Sequence, residues 1–401
     1  MRSKLNSFYP LTQSVLENKD LNAAIKIIKS KKITMGKKTQ EIEKYFKKKV
    51  TGINSLMVNS GSSANLLIFQ CLINPMVKRL KPGDEVLIPA ICWSTSLWPI
   101  IQSGLKVKFV DIDLNTFNIN TNQLIRNVTK KTKALMLVHA LGNCADMDKI
   151  VEICKKKKII LIEDACEALG SSFNKKPLGT FGDFSSFSFY YSHHITSGEG
   201  GMVCVKNKKY LEILKSLRSH GWSRELKDNK KISIKNKKID KNWIFVNSGF
   251  NLRPTDINAA IGIEQLKRLK KILSIRKYNY NSIKEKLMND KRYENQFTIP
   301  SDDSKKEIAW FGIPITLTNN NKKFKNSFMN KLNRKGIITR PIISGNFAKQ
   351  PSIKLYKIKV NYKLKNADVI DQNSFFLGLH NIKINKAKLN KFCNFFYSSL
   401  N

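Results

Sequence analysis

The sequence has no apolar run long enough to cross a bilayer. Its apolar runs, such as Ala134–Val138 and Ile159–Ile162, have the length of strands, whereas a membrane-spanning helix needs about 20 apolar residues. The N-terminus also lacks the combination of basic residues, apolar core and small-residue cleavage site that marks a secretory leader. We therefore expect a cytoplasmic protein that does not act in a membrane.

Paired cysteines are missing as well. The seven cysteines are scattered, and no two of them form a Cys-x-x-Cys pair. This spacing argues against a disulfide framework and against a zinc ribbon. We expect free thiols in a reducing compartment and no metal site.

Acidic residues are scarce, because 30 Asp and Glu stand against 72 Lys and Arg, for a formal net charge of +42. Such a balance often indicates nucleic acid or an anionic membrane. Here the excess is mostly lysine, spread in runs such as Lys47–Lys49 and Lys155–Lys158, and it accompanies abundant Asn and Ile, as in genomes rich in A and T. No zinc finger, arginine-rich groove pattern or aromatic RNA-binding motif is present. We expect no nucleic-acid partner, although the positive field would attract a phosphorylated substrate.

From about residue 55 to 205, short apolar runs alternate with helical patterns. This alternation predicts an α/β fold with a mainly parallel sheet covered on both faces, in which ligands bind beyond the carboxyl ends of the strands. The predicted strands are Val86–Pro89, Val107–Asp111, Ala134–His139, Ile159–Glu163, Ser185–Phe189 and Met202–Val205; the predicted helices include Asn65–Leu80 and Met147–Lys157 behind the cap Asp146.

The remaining sequence predicts three parts. Residues 1–35 form a helix and an arm, residues 36–265 a large domain, and residues 266–401 a smaller C-terminal domain of mixed α and β pattern. The basic stretch Glu225–Lys241 is typical of a surface excursion, and Thr255 is a candidate cap for a long helix behind it.

Two motifs lie where such a sheet places ligand contacts. Small residues at 60–64 precede a helical run, and free backbone N–H groups at a helix N-terminus suit a phosphate, although an ordinary capped helix explains them as well. Asp164 ends a buried strand, where a carboxylate is costly unless it meets a cation. A protonated pyridine nitrogen would serve; the alternative is an aspartate that caps the next helix.

Two adjacent histidines, His193 and His194, follow another predicted strand and precede a glycine-rich turn. No carboxylate or third histidine stands nearby at metal-ligand spacing. A histidine pair is more often structural, but a position after a strand favours a functional role.

Five ordered motifs resemble the DegT/DnrJ/EryC1/StrS family of nucleotide-sugar aminotransferases over nearly the whole chain. They are Ser-Gly-Ser-Ser-Ala (60–64), Pro-Ala-Ile-Cys-Trp (89–93), Glu-Asp-Ala-Cys-Glu (163–167), Ser-Phe-x5-Ile-Thr-x-Gly-Glu-Gly-Gly (188–201) and Gly-Phe-Asn-Leu-Arg-Pro-Thr-Asp (249–256). The resemblance implies the aspartate aminotransferase-like fold, type I of the enzymes that use pyridoxal 5'-phosphate (PLP), and a homodimer.

The family's cofactor lysine is replaced by His193, and imidazole cannot form the covalent link that lysine forms. In the family this exchange marks the 3-dehydratases that make 3,6-dideoxysugars, and the strings 218–222 and 339–347 also resemble that subgroup. The resemblance implies a lyase that removes the C3 hydroxyl of a 4-keto-6-deoxy nucleotide sugar. The expected substrate is GDP-4-keto-6-deoxymannose and the expected amino donor is glutamate, for colitose-type sugars of lipopolysaccharide O-antigen.

The resemblance also implies roles for single residues. His193 would be the base, with the cofactor bound non-covalently as PLP or as pyridoxamine 5'-phosphate (PMP). Ser62, Ser63 and Ser188 would hold its phosphate together with Asn251 from the partner subunit, Trp93 would stack on its ring, and Asp164 would pair with its nitrogen. Glu167 replaces a common Gln beside the ring hydroxyl, which a carboxylate would repel unless it is protonated or turned away. His220 and Arg340 would face the sugar.

One branch of the subgroup, acting on CDP-sugars, carries a 2Fe–2S cluster on four cysteines. Cys166 matches the first of these, but no cysteine follows Trp222 in the next stretch, so we expect no iron–sulfur cluster. Three alternatives remain: an aminotransferase-like protein acting on another 4-keto sugar, for example CDP-linked; a non-catalytic family member; and a nucleic-acid-binding protein.

Overall fold

Seven strands form the central sheet of this computed structural model, which describes residues 7–13, 16–301, 303–318, 321–360 and 362–400. The strands are β1 (Asn54–Val58), β2 (Glu85–Pro89), β3 (Lys106–Val110), β4 (Thr132–Val138), β5 (Ile160–Asp164), β8 (Phe184–Ser188) and β9 (Gly201–Val205). They lie in the order β1-β9-β8-β5-β4-β2-β3. β9 runs antiparallel to both of its neighbours, β1 and β8, whereas all the other adjacent strands are parallel. Because the other inner strands are parallel, their carboxyl ends meet at one edge.

The helices of this part of the chain cover the sheet. They are α1 (Asn18–Lys29), α2 (Lys37–Phe46), α3 (Gly61–Ile73), α4 (Ser94–Gln102), α5 (Thr121–Asn127), α6 (Met147–Lys157), α7 (Lys208–Arg218), α8 (Asn229–Lys235) and α9 (Asp256–Lys267). Consecutive residues of a strand enter opposite cores, so Leu56 and Val58 pack in one cluster and Met57 in the other. This period of two, with both faces buried, is typical of a parallel sheet between helices.

The second unit is built on a four-stranded antiparallel sheet in the order β10-β12-β14-β13. Its elements are α10 (Leu269–Met288), β10 (Phe297–Thr298), β12 (Gly312–Leu317), α11 (Lys322–Arg334), β13 (Thr339–Pro341), α12 (Pro351–Leu355), α13 (Lys365–Asn373), β14 (Ser374–Gly378) and α14 (Lys386–Leu400). A small sheet connects the two units: β11 (Lys306–Glu307) pairs with β6 (Ser172–Phe173), which pairs with β7 (Lys176–Pro177).

The N-terminal arm packs against the second unit. Tyr9 is buried, its hydroxyl donates to the carbonyl of Gly378, and its amide donates to Gly336. The expected domain boundary at residue 265 falls inside α9, and the three-part division stays a prediction.

The predicted strands are confirmed to within one or two residues, but one predicted helix is wrong in its bounds. The helix predicted at Asn65–Leu80 begins earlier, at Gly61, and ends at Ile73. Asn74 leaves the helical region (φ −57°, ψ 137°) because Pro75 follows, and a residue before proline avoids the helical conformation. The caps Asp146 and Thr255 are confirmed, since each side chain accepts a backbone N–H of its helix.

The lysine-rich stretch Glu225–Lys241 lies on the surface as predicted, because α8 within it buries none of its residues. Among the described residues, no helix combines the length and the apolar character that spanning a membrane requires.

Candidate active site

Two helix N-termini meet above the carboxyl edge of the sheet. Ser60 caps α3, since its hydroxyl accepts from the amide of Ser63, and the exposed Ser62 hydroxyl donates to Thr95 in the first turn of α4. Gly61 lies between the helix and β8; a Cβ there would come within 2.7 Å of the Ser188 Cβ. Neutral hydroxyls and N–H groups with a helix dipole behind them form an anion site.

Asp164 forms the floor of the site. It is buried at the end of β5, where Asn65 and Ser96 donate to its Oδ2 at 2.9 and 2.7 Å. The amide of Cys166 donates to its Oδ1. No described cationic side chain forms an ion pair with this carboxylate, so it can receive a cation from a ligand.

The neighbouring Glu163 points to the opposite side of the strand and has a structural role. Its carboxylate lies 2.9 Å from His139 Nε2 and accepts from the amides of Gly179 and Gly182. Burial alone would raise the pKa of Glu163, but these hydrogen bonds and the histidine lower it overall.

Glu167 lines the same cavity as Asp164. Burial raises its pKa to about 7, and the nearby charge of Asp164 adds to this effect, while one carboxylate oxygen accepts from the amide of Leu141 at 2.8 Å. A protonated Glu167 can stand beside an oxyanion without repelling it. The surroundings of Glu167 therefore favour its neutral form, which is one of the two arrangements expected from the sequence beside the ring hydroxyl.

The adjacent histidines have different environments. His193 is half-buried and lines the cavity, and its Nδ1 has no hydrogen-bond partner among the described residues. Burial lowers the pKa of His193 to about 4, against the opposing effect of Asp164. His194 is fully buried, and its Nε2–H donates to the carbonyl of Ala309 at 2.7 Å. The first imidazole is placed to act as a neutral base and the second to hold the loop.

A cavity of about 520 Å³ collects most of the predicted site residues. Ser62, Trp93, Asp164, Glu167, Ser188, His193 and Arg340 all line it. Trp93 is 57% exposed at its rim, where the ring can cover a flat ligand. Both units contribute, because Phe311 and Phe376 of the second unit also line the cavity.

Three predicted site residues lie outside this cavity. The Ser63 hydroxyl accepts from Ser60 within α3. His220 and Asn251 lie together on the connection after α7, where Ser219 bridges to Asn251. Asn251 does not line the cavity of its own chain. Its expected service to a partner subunit stays a prediction, as do the roles of the other two.

The sequence did not indicate the polar residues that fix Asp164. Asn65 and Ser96 are ordinary helix residues by pattern, and their role arises only because α3 and α4 converge on the strand end. Within the described residues, no group of three or more His, Cys, Asp or Glu side chains could hold a metal ion; the absence of an iron–sulfur cluster stays a prediction.

A family model named DegT/DnrJ/EryC1/StrS aminotransferase family matches residues 14–394. The chain belongs to this family. It is 38% identical over 379 residues to GDP-4-keto-6-deoxy-D-mannose 3-dehydratase of Escherichia coli O55:H7, a match that covers 94% of this chain and 96% of that protein.

Two solved structures extend the family comparison. One is the E. coli GDP-4-keto-6-deoxy-D-mannose-3-dehydratase with bound hydrated PLP, with a TM-score of 0.89, 36% identity, and coverage of 97% of this chain and 99% of that chain. The other is a GDP-4-keto-6-deoxymannose-3-dehydratase with a trapped PLP–glutamate geminal diamine, with a TM-score of 0.89, 36% identity, and coverage of 98% and 100%. These matches confirm the predicted α/β fold of the PLP-dependent family.

Proposed function

We propose that this chain is a PLP- and PMP-dependent 3-dehydratase that removes the C3 hydroxyl of GDP-4-keto-6-deoxymannose with glutamate as amino donor. The observation that carries the proposal is His193, which lines the cavity where most of the family has a lysine. The near full-length similarity to a 3-dehydratase supports the same activity. The product would supply colitose-type 3,6-dideoxysugars for surface polysaccharide. We place the reaction in the cytoplasm, because all seven cysteines are free thiols.

The residues around the cavity fit a phosphorylated pyridine. The N-terminus of α3 with Ser62 and Ser188 would bind the phosphate, and Asp164 would pair with the protonated ring nitrogen. Trp93 would cover the ring face. Neutral Glu167 would stand beside the ring oxygen, since its pKa is raised to about 7.

The bound cofactor supplies an amine acquired from glutamate and a ring that accepts electrons while the C3 hydroxyl leaves. His193 would take the proton from the carbon that bears this amine; with its pKa lowered to about 4, the imidazole is neutral near pH 7 and free to accept it. Asp164 keeps the ring nitrogen protonated, and Arg340 at the cavity edge orients the sugar. In balance, glutamate and the keto sugar give 2-oxoglutarate, ammonia and a sugar with one oxygen fewer.

The site is completed by a second copy of the chain. Asn251 would reach the cofactor phosphate of the partner subunit, and His220, on the same connection, would reach its sugar. Support comes from the location of both residues outside their own cavity.

The test is incubation of the purified protein with PLP, glutamate and a panel of GDP- and CDP-linked 4-keto-6-deoxysugars, followed by mass spectrometry. The proposal expects the GDP-linked product to be one oxygen lighter, with 2-oxoglutarate and ammonia in equal amounts. An amino sugar as product would identify an aminotransferase. Faster turnover of the CDP-linked sugar would show that the substrate carries CDP and not GDP. Absence of any turnover would favour a non-catalytic member.

A further inference from the structure

A buried arginine lies behind the histidine loop. Arg276 on α10 is only 3% exposed, and its guanidinium donates to the carbonyls of Trp310, Phe311 and Leu379 and to Oδ1 of Asn381 at 2.6–3.3 Å. All these acceptors are neutral oxygens.

No carboxylate compensates the charge of Arg276 among the residues described. The phenol of Tyr9 is the titratable group that acts on Arg276, and burial lowers the pKa of Arg276 to about 10. A buried guanidinium without a counterion is costly even when it is fully hydrogen-bonded. A methionine of similar length would remove the buried charge but would leave the four acceptor oxygens without this donor. The position therefore uses either the geometry or the charge of arginine.

The segments that Arg276 holds are the ones that contact the histidine loop. Next to Trp310, the Ala309 carbonyl accepts from His194 Nε2, and the Phe311 ring lies edge-on to His193 with centroids 5.1 Å apart. On the other segment, Asn381 Nδ2 donates to the carbonyl of His194 at 3.1 Å. One guanidinium thus fixes both supports of the loop.

We propose that Arg276 is a positioning residue for His193, which aims the imidazole through segments 309–311 and 379–381 and adds a positive charge behind it that disfavours its protonated form. The inference rests on the proposed function only in naming His193 as the base. The electrostatic part agrees with the direction of the pKa shifts, since Arg276 acts to lower the pKa of both His193 and His194 in addition to burial.

Other charges also face His193. Asp164, Glu167, Glu199 and Arg340 line the cavity in front of it, and Asp164 opposes the effect of Arg276 on its pKa. Because these groups stay in place when Arg276 is changed, a variant at position 276 isolates the charge behind the imidazole.

The test is a pH titration of the imidazoles in the intact, ¹⁵N-histidine-labelled protein, followed by long-range ¹H–¹⁵N NMR. Only five histidines are present, and His193→Asn assigns the relevant signal. In the unchanged protein, we expect His193 to stay neutral down to about pH 5, since its pKa is lowered to about 4. In Arg276→Met, the midpoint should rise by roughly half a pH unit or more, because a like charge has been removed.

Arg276→Lys separates charge from geometry. Lysine keeps the positive charge, but a single ammonium with three donors cannot span the four acceptors. We expect the His193 midpoint to stay low, while kcat falls by about 10- to 100-fold with little change in KM, as a misaimed group causes. Arg276→Met removes both the charge and the hydrogen-bond geometry, so it should show a raised His193 midpoint together with a lowered kcat.

The matched control is Arg292→Met. Arg292 pairs with Asp290 and contacts Tyr397 and Asn394 in the second unit, so its loss should lower the melting temperature without moving the His193 signal. The proposal is overturned if folded Arg276→Met leaves both the His193 midpoint and kcat unchanged. If Arg276→Met does not fold, a folded Arg276→Lys with unchanged kcat overturns it. The NMR result does not require turnover, so a failure of the proposed function would be seen separately.

Discussion

Two neighbouring imidazoles of the chain have different partners. His193 lines the cavity, whereas His194 is fully buried and donates from Nε2 to the carbonyl of Ala309; the Nδ1 of both imidazoles is unpaired among the described residues. The same residue type in consecutive positions can therefore serve proton transfer in one case and loop structure in the other.

The first prediction separates these roles by two variants. His193→Asn should keep the fold, since Asn is polar and smaller, but should slow deoxygenation by roughly 10²–10⁴-fold, the usual contribution of a positioned base. His194→Asn should instead lower the free energy of unfolding by about 1–3 kcal/mol, because a buried hydrogen bond is lost. Single-turnover rates and chemical denaturation measure the two effects. If His193→Asn deoxygenates the sugar at the normal rate and His194→Asn is folded but inactive, the roles assigned to the two histidines must be exchanged.

The second prediction concerns Glu167, whose pKa is raised from 4.5 to about 7. In the unfolded chain this group ionises at its ordinary value, so the stability of the cofactor-free protein should decline as the pH rises from about 4.5 to about 7. Glu167→Gln cannot ionise and should lack this decline. Relative to the unchanged protein, the variant should gain up to roughly 3 kcal/mol between pH 4.5 and pH 8. A stability difference that is the same at both pH values would contradict the raised pKa.

At the residue scale, the sequence predicted Asp164 and His193 as site residues because both follow predicted strands. It did not predict the lowered pKa of His193, which depends on burial and on Arg276, more than 80 residues away in the chain. Nor did it indicate that Asn65 and Ser96 fix Asp164. Side chains that meet only through tertiary structure leave no local pattern.

Among the elements, the junction of α3 with β8 leaves no room for an added side chain at Gly61. A Cβ on Gly61 would lie 2.7 Å from the Ser188 Cβ and 2.9 Å from the Cys166 Sγ. The Ser188 Cβ is fixed by its backbone and cannot rotate away from the contact. The close approach of the helix start to the strand end therefore requires a glycine at position 61.

The third prediction compares Gly61→Ala with Ser62→Ala. Gly61→Ala should destabilise the protein by about 1–3 kcal/mol and weaken cofactor binding, because the helix must move away from β8. Ser62 is exposed, so Ser62→Ala should change stability by less than about 0.5 kcal/mol and weaken cofactor binding alone. Thermal melts of the cofactor-free protein and fluorescence titration with PLP separate the two. Equal stability of both variants would show that the junction tolerates a methyl group.

At this scale the sequence predicted most elements, because strands buried on both faces give continuous apolar runs. Its main error was the end of α3, where apolar residues beyond Ile73 continued the helical pattern although Pro75 stops the helix. It also did not indicate that β9 would run antiparallel, since the direction of a strand is set by the connection and not by its residues.

For the whole molecule, three of the predicted contacts, Ser63, His220 and Asn251, lie outside the cavity of one chain. His220 and Asn251 lie on the connection between α7 and α9, outside the cavity. Among the described residues that line this cavity, Arg340 is the one Lys or Arg side chain available to anionic groups of a bound ligand. The family resemblance implies that a second copy of the chain supplies the contact from Asn251.

The fourth prediction is a homodimer with shared sites. His193→Asn and Asn251→Ala should each be nearly inactive alone, but a refolded mixture should recover activity, because one site of each mixed dimer receives an intact His193 and an intact Asn251. Light scattering should give twice the chain mass. A fully active monomer, or a mixture with no gain over its parts, would contradict shared sites.

The measurement that tests the central claim most directly is borohydride reduction of the PLP-loaded protein followed by intact-mass analysis. Because His193 stands at the family's lysine position, the unchanged protein should carry no pyridoxyl group after reduction. His193→Lys provides the control and should acquire one pyridoxyl group, located at position 193 by peptide mapping. A stable pyridoxyl adduct on any lysine of the unchanged protein would contradict the account.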